Sequence, residues 1–507
     1  MARDGEARLG PRLSPWRPRT GWGLLVLMVA AAALRFHDPG HQWLSHDEVY
    51  TALRTAGFPP LEPPAQLTAG ELQQFLRLSA DHGWSATLRE LARHPEHPPL
   101  YFLLARLVRE GFGEAMVSVR LLSALFSVLL VPAVYWLGWE VSGSLGLAAL
   151  AAGMAVVSPL QLLYAQEARP YSLLVLLTAL ACAGLLRLRR GPGPLPFWSY
   201  VLTLVAGLYT SLIFVLVPLS HGLHGLLPGQ PAGHRRRWGA AMAIALVAFL
   251  PWLWILGVRL EAFLRHTAWL RVVPPAPPDA WLRGLHWSAP FVDLGGQPPP
   301  WWPAAALTVV LALAGAGALV LARRTTSPGW SLLVLLLLLN LLVLEAGDLA
   351  TGGRHAQMTR YLLPGLLGAQ MLVAGALWGL VSVRGSRPAG VLLLVAALLA
   401  GALSCRSILA ADTWWHQYRL YRPTRVQAAL WAHPGSQLRL VRSPTSLGEA
   451  IALAQRLDPD TPLCFVAAPL SSGAPGPPAA AVVQASDLGQ VVLPADGAGS
   501  SASCAGP

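Results

Sequence analysis

The chain has no lysine: all 37 of its Lys+Arg residues are arginine. A catalytic lysine is therefore excluded, and any phosphate contact must come from Arg, His, a backbone amide or a metal. Charge of either sign is scarce, at 12% of 507 residues, against 54% apolar content and a mean hydropathy of +0.49. That balance excludes a soluble domain, because apolar runs of membrane-spanning length recur along the chain. Cysteine is almost missing. The four present have no zinc spacing: Cys182 and Cys405 fall in apolar runs, while Cys464 and Cys504 lie in the tail and could pair if it is exported. No glycine-rich loop follows a strand, which removes a nucleotide-cradling fold. The net charge of +12 does not point to nucleic acid, because the arginines sit in short clusters between apolar runs rather than on one face.

Those clusters orient the chain instead. The first apolar run, about Trp22 to Phe36, follows Arg3, Arg8, Arg12, Arg17 and Arg19, so residues 1–20 form a basic cytoplasmic N-terminus. A cleaved signal peptide ending near Ala33 has the same pattern; we read the run as an uncleaved anchor. Arg187/Arg189/Arg190, Arg235/Arg236/Arg237, Arg323/Arg324 and Arg384/Arg387 each follow an apolar run and mark cytoplasmic returns. Spans then fall at about 119–138, 145–164 and 170–187, in a hairpin of two short spans within 198–227, and at about 237–257, 302–322, 330–346, 360–381 and 389–410. The hairpin follows from parity, since Arg190 and Arg235 both belong to the cytoplasm. The expected fold is an all-α polytopic protein of a cell inner (plasma) membrane with about eleven transmembrane helices. Residues 21–410 form its transmembrane domain, with an outer loop at 37–118, and residues 411–507 an extracytoplasmic C-terminal tail.

Residues 37–118, the turn Gln166–Pro170, the loops 258–300 and 347–359 and the tail all fall outside by this threading. In the first loop a capping box at Thr68 and Glu71 precedes Leu72, Phe75, Leu76 and Leu78, predicting an amphipathic surface helix, and a second follows His97-Pro98-Pro99-Leu100. The tail reads as a small α/β unit: a strand at Gln437–Val441, a helix opened by Ser446 and Glu449, a strand at Leu463–Val466 and then an Ala/Gly/Pro-rich stretch.

Nearly all residues capable of chemistry lie in these outer segments. Asp47 and Glu48 are adjacent carboxylates just beyond the first span; they are either a solvated turn or a general base beside a lipid-borne electrophile. Glu96 and His97 stand where the loop returns to the membrane, and Pro98-Pro99 rules out a regular helix there. They suit a phosphate contact or a divalent metal, with Glu96 the metal-ligand candidate, or are plain solvated side chains. Gln166, Glu167 and Arg169 lie between an outward and an inward span. Arg169 beside Pro170 is placed either to snorkel or to clamp a lipid phosphate bidentately. Arg354, His355, Arg360 and Tyr361 flank another outward loop and are candidates for the same phosphate, or solvated loop residues.

The series Asp47-Glu48, His97-Pro98-Pro99-Leu100, Arg120-Leu121-Leu122-Ser123-Ala124, Tyr164 with Gln166-Glu167-Ala168-Arg169, and Arg360-Tyr361-Leu362-Leu363-Pro364 resembles the bacterial members of glycosyltransferase family 39. These are relatives of the protein O-mannosyltransferases and the lipid A aminoarabinose transferases, with the C-type glycosyltransferase fold. The likeness runs over roughly residues 20–380 in motif order and spacing. It implies an inverting transfer, in which a sugar leaves a polyprenyl phosphate at the outer face under attack by an acceptor hydroxyl. The family's catalytic base maps onto Asp47, with Glu48 beside it, and its phosphate clamp onto Arg169. The Glu96-His97-Pro98 element resembles a Glu-Lys-Pro stretch near the phosphate and a metal, with His97 in the lysine's position. Tyr209-Thr210-Ser211 departs from the family, since many members carry a histidine after that Tyr-Thr pair.

The implied partners are a polyprenyl-phosphate-linked sugar, membrane lipids and an acceptor lipid, glycan or protein. Two other classes compete: a transporter or flippase of a lipid-linked intermediate, and a non-catalytic membrane scaffold. A transporter places ionisable groups inside its spans and shows repeat symmetry; these spans are nearly free of charge, and the halves do not repeat.

Overall fold

The computed structural model describes residues 18–59, 61, 66–191, 193–228, 231–271, 279–295, 299–414, 437–441, 444–466, 482–486 and 489–492. Its first part runs α1 (Pro18–Arg35), α2 (His46–Ala56), β1 (Gln66–Thr68), α3 (Ala69–Gln74), α4 (Trp84–Arg93), α5 (Leu100–Phe112), α6 (Met116–Ser142), α7 (Leu145–Val156), α8 (Pro159–Ala165) and α9 (Tyr171–Arg189). Next come α10 (Pro194–Leu208), α11 (Leu216–Leu226), α12 (Ala232–Val258), α13 (Leu260–His266), α14 (Asp279–Ser288), α15 (Trp302–Arg324), α16 (Gly329–Thr351), α17 (Thr359–Ser382) and α18 (Arg387–Leu409). The tail adds β2 (Gln437–Val441), α19 (Pro444–Ala454), β3 (Pro462–Val466), β4 (Val482–Ser486) and β5 (Gly489–Val492).

Seven helices, α6, α9, α12, α15, α16, α17 and α18, are long and apolar enough to cross a membrane, and α7 with α8 makes an eighth if the pair is one span bent by 56°. The protein is thus a polytopic membrane protein. Three further apolar helices, Gly21–Arg35, Pro194–Leu208 and Leu212–Leu226, are shorter, so seven or eight spans meet the length criterion where the sequence leads to about eleven.

The bend between α7 and α8 interrupts what the sequence predicts as one continuous span. Pro159 has no N–H to continue the ladder and holds Ser158 extended, at φ −73° and ψ 116°. The carbonyls freed at the end of α7 are met by fully buried Arg35, whose Nη2 donates to Ala155 O at 2.7 Å and Nη1 to Val156 O at 3.0 Å. Its Nε donates to Ser127 Oγ at 2.7 Å, tying the break to α6. This redirects α8, so that the turn after it reaches α2.

Close helix contacts rest on small residues. A methyl group on Gly317 of α15 would fall 1.8 Å from the Leu372 carbonyl of α17. At Gly365 of α17 it would fall 2.6 Å from Asn340 Oδ1 of α16, whose Nδ2 donates to Tyr361 O at 3.1 Å.

In the first loop the Thr68–Glu71 capping box is present, but α3 ends at Gln74, and the next turn hands the Leu76 carbonyl to Arg109. The tail contains the expected strand, helix and strand, in a five-stranded sheet of order β1-β3-β2-β5-β4. Its edge strand β1 comes from the first loop and pairs antiparallel with β3, Leu67 opposite Leu463, so the tail is stitched to that loop. Above it α19 lies on α2, where a methyl on Gly448 would fall 2.4 Å from His46 Nδ1. Cys464 is disulfide-bonded, while Cys182 and Cys405 are free and buried; Cys504 lies outside the described residues.

Gly317→Ala should therefore destabilise the α15–α17 contact by about 1–3 kcal/mol. Thermal unfolding in detergent checks this, with Gly315→Ala, which has open space at its Cβ, as the control.

Candidate active site

The site is built on the first turn of α2. Ser45 and Glu48 form a capping box, with Ser45 N donating to Glu48 Oε2 at 2.8 Å and Glu48 N to Ser45 Oγ at 3.2 Å. Glu48 is completely buried, and Arg120 of α6 grips it with two bonds of 2.7 Å. The Ala168 N–H adds a bond of 2.8 Å to Oε1. Four donors fill the carboxylate's acceptor sites, so Glu48 joins α2, α6 and the turn after α8.

Asp47, one residue earlier, turns by about 100° to the other side of the helix and keeps 30% of its side chain exposed. There Arg360, at the start of α17, donates from Nη1 to Asp47 Oδ2 at 2.6 Å. Arg169 lies on the same carboxylate, with Nη2 4.0 Å from Oδ2, while its Nη1 donates to Thr51 Oγ1 at 3.2 Å and Asp47 O at 3.3 Å. Its guanidinium also faces the rings of Tyr171, at 5.6 Å, and Phe102, at 6.0 Å. Burial alone would raise the Asp47 carboxyl; Arg360 first and Arg169 second overcome that and hold it well below the usual carboxylate range. Glu167, in the same turn as Arg169, goes the other way. Burial, then repulsion from Glu48 and Asp47, pushes it up to about 8.

The remaining candidates shape this cleft. Gln166 pins the turn by donating to His37 O at 2.9 Å. His355 pairs with Asp348 at 2.7 Å, and Arg354 donates to Trp269 O at 3.1 Å, which orders the loop leading to Arg360. Arg360 lies over the rings of Trp269 at 5.4 Å and Tyr361 at 5.5 Å. His97 packs near Phe102, its ring centroid 5.8 Å away, with Nε2 3.8 Å from Glu96 Oε1.

Glu96 is the centre of a second cluster. Its two oxygens meet His94 Nδ1 and His266 Nδ1, each at 3.2 Å, and the two rings stack at 4.5 Å. Trp252 of α12 holds the intervening turn by donating to Pro95 O at 3.2 Å. Among the described residues this is a group of three potential metal ligands within 4.8 Å of one another. Two imidazoles and a carboxylate are ligand types suited to a divalent cation such as zinc; bonds of ~2.0–2.1 Å give a tetrahedral edge of about 3.3 Å, so a cation would draw the three together from their present spread. The sequence reading reached Glu96 and His97 but missed His94 and His266. The His-x-Glu-His spacing could have drawn attention to His94; His266, in α13, has no local signal. Arg54 was missed as well, although it shares a helix face with Asp47 and Thr51.

Protonation of Glu167 gives a stability test. Its folded pKa is raised, so its contribution is fully present below about pH 4.5 and is lost as pH rises towards about 8. Thermal midpoints should fall across that window in the wild-type protein and fall less in Glu167→Gln. Asp47 has the opposite sign and acts only at acidic pH, below the usual carboxylate range.

No protein-family model matches the chain, and no curated protein matches it in sequence. Solved structures do. The oligosaccharyltransferase of Archaeoglobus fulgidus in its apo form aligns with a TM-score of 0.53 at 12% identity, over 87% of this chain and 65% of its own. ArnT of Cupriavidus metallidurans, bound to undecaprenyl phosphate, gives 0.49 at 14% over 86% and 76%. The protein O-mannosyltransferase complex of S. cerevisiae, bound to its sugar donor, gives 0.33 at 14% over 56% and 38%. This chain thus spans just under two thirds of the archaeal enzyme's length. At these identities the likeness is one of fold alone: the chain shares the fold of the Archaeoglobus fulgidus oligosaccharyltransferase.

Proposed function

We propose that the protein is a membrane glycosyltransferase that moves a sugar from a polyprenyl-phosphate donor to an acceptor hydroxyl at the extracytoplasmic face, with inversion. The observation that carries this reading is a part-exposed carboxylate, Asp47, held by Arg360 and flanked by Arg169 where three membrane-proximal segments meet. The acceptor oxygen attacks the anomeric carbon from one side and its proton passes to Asp47. The bond from that carbon to the phosphate oxygen breaks on the other side, and the charge gathering on the phosphate is met by Arg169 and Arg360, with His97 and Tyr361 beside them.

The arrangement of these side chains fits this sequence of events. An aspartate paired with Arg360 is a poor base, because its pKa lies far below working pH. A donor phosphate competes for the same guanidinium, and releasing Arg360 from Asp47 restores basicity as the electrophile arrives. Donor binding thereby arms the base. Glu48, Gln166, Glu167, Arg354 and His355 act as positioning residues, since each is bonded to protein groups that set the loops. A divalent cation held by His94, Glu96 and His266 would add positive charge near the phosphate. Acceptor choice among lipid, glycan and protein depends on pocket shape.

Membranes containing the protein and a labelled polyprenyl-phosphate sugar test the proposal. Asp47→Asn should lower label transfer about 10²- to 10⁴-fold with normal membrane assembly. Unchanged labelling in both Asp47→Asn and Arg169→Ala sinks the assignment. Chelation should slow transfer in the wild type and have no effect on a His266→Ala variant; equal rates with and without chelator remove the metal from the scheme.

A further inference from the structure

The described residues include six buried arginines: Arg35, Arg54, Arg106, Arg109, Arg120 and Arg169. Five donate hydrogen bonds, Arg35 to Ala155, Arg106 and Arg109 to carbonyls of α2, Arg120 to Glu48 and Arg169 to Thr51. Arg54 makes no hydrogen bond or ion pair among the described residues, and its Nε is buried without an acceptor. It is 8% exposed, and its one ring contact is with Tyr50, 5.6 Å away. A buried guanidinium left unpaired costs several kcal/mol, so packing alone gives no reason to keep it.

Its position gives one. Asp47, Thr51 and Arg54 follow one another at helical spacing along one face of α2, the face on which Arg169 lies. Arg54 stands one helical turn beyond Thr51, the residue that Arg169 binds, and its charge is felt by Asp47, Arg169 and Glu96. Arg360 is committed to Asp47, and Arg169 to Thr51 and the α2 backbone. Arg54 alone among these guanidiniums has no protein acceptor among the described residues.

We propose that Arg54 is a binding residue for the phosphate of the lipid donor, receiving its oxygens before Arg360 exchanges Asp47 for the same group. This rests on the function proposed above and adds a residue and an order of events to it. Planar guanidinium donors match phosphate oxygens in pairs, and the ring of Tyr50 backs the charge.

The test uses the full-length protein in detergent, with a polyprenyl phosphate and the polyprenol of the same chain length as probes. The wild type should bind the phosphate more tightly than the alcohol. Arg54→Gln should weaken phosphate binding roughly 10- to 100-fold, the worth of a charged hydrogen bond, and leave polyprenol binding unchanged. Without ligand, Arg54→Gln and Arg54→Met should unfold at the same temperature as the wild type or higher, because an uncompensated charge has gone. A structural role predicts a lower Tm and equal losses for both probes, and that result, or undiminished phosphate binding, overturns the proposal. A wild type that does not distinguish phosphate from alcohol overturns the donor assignment itself.

Discussion

A single buried ion pair, Glu48 with Arg120, decides where everything else in the cleft points. Removing one partner of such a pair leaves an uncompensated charge in the interior, at a cost of about 3–5 kcal/mol. Here the cost would be felt in four places, because Arg120 also donates to the carbonyls of Pro39, Gln42 and Trp43, and Glu48 accepts from Ala168. The entry to α2, the start of α6 and the turn carrying Arg169 are thus held to one point. With Glu48 locked inward, helical geometry turns Asp47 outward into the cleft. Of two adjacent carboxylates, one is bound into the interior and the other opens on the cleft.

A second constraint comes from the membrane, where freed backbone groups must find partners inside the protein. The break between α7 and α8 would leave carbonyls bare, and Arg35 fills them. Without the break α8 would run straight on, and Arg169 would not reach Thr51. The position of Arg169 therefore depends on an arginine that is bonded to α6 and to the end of α7. The tail adds a restraint from outside by lending β3 as partner to β1 and resting α19 on α2.

Much of this was legible in the sequence because its signals are local or strongly periodic. Apolar runs marked the long spans, and Thr68 with Glu71 marked the start of α3. The same spacing at Ser45 and Glu48 is a capping box too, and it separates the two carboxylates onto different faces. Read as a turn, they seemed equivalent. What stayed hidden depends on distant partners. β1 is three residues long, too short to show alternation, and pairs with a strand almost four hundred positions away. His266 joins Glu96 from a separate helix. Arg54 drew no notice, because a missing partner leaves no mark in a sequence.

The cleft sets two carboxyl groups apart, and that separation assigns their work. Asp47 stays ionised beside two guanidiniums, while Glu167, at about 8, keeps its proton at neutral pH, so in the proposed transfer Asp47 and not Glu167 is the one to take a proton. The same reasoning explains why arginine suits the cations. Burial takes Arg54 down to about 10, still fully charged at neutral pH. A lysine starts near 10.4, and an equal penalty would bring it within reach of losing its proton at neutral pH. In a cleft this dry, the absence of lysine is a condition for keeping positive charge.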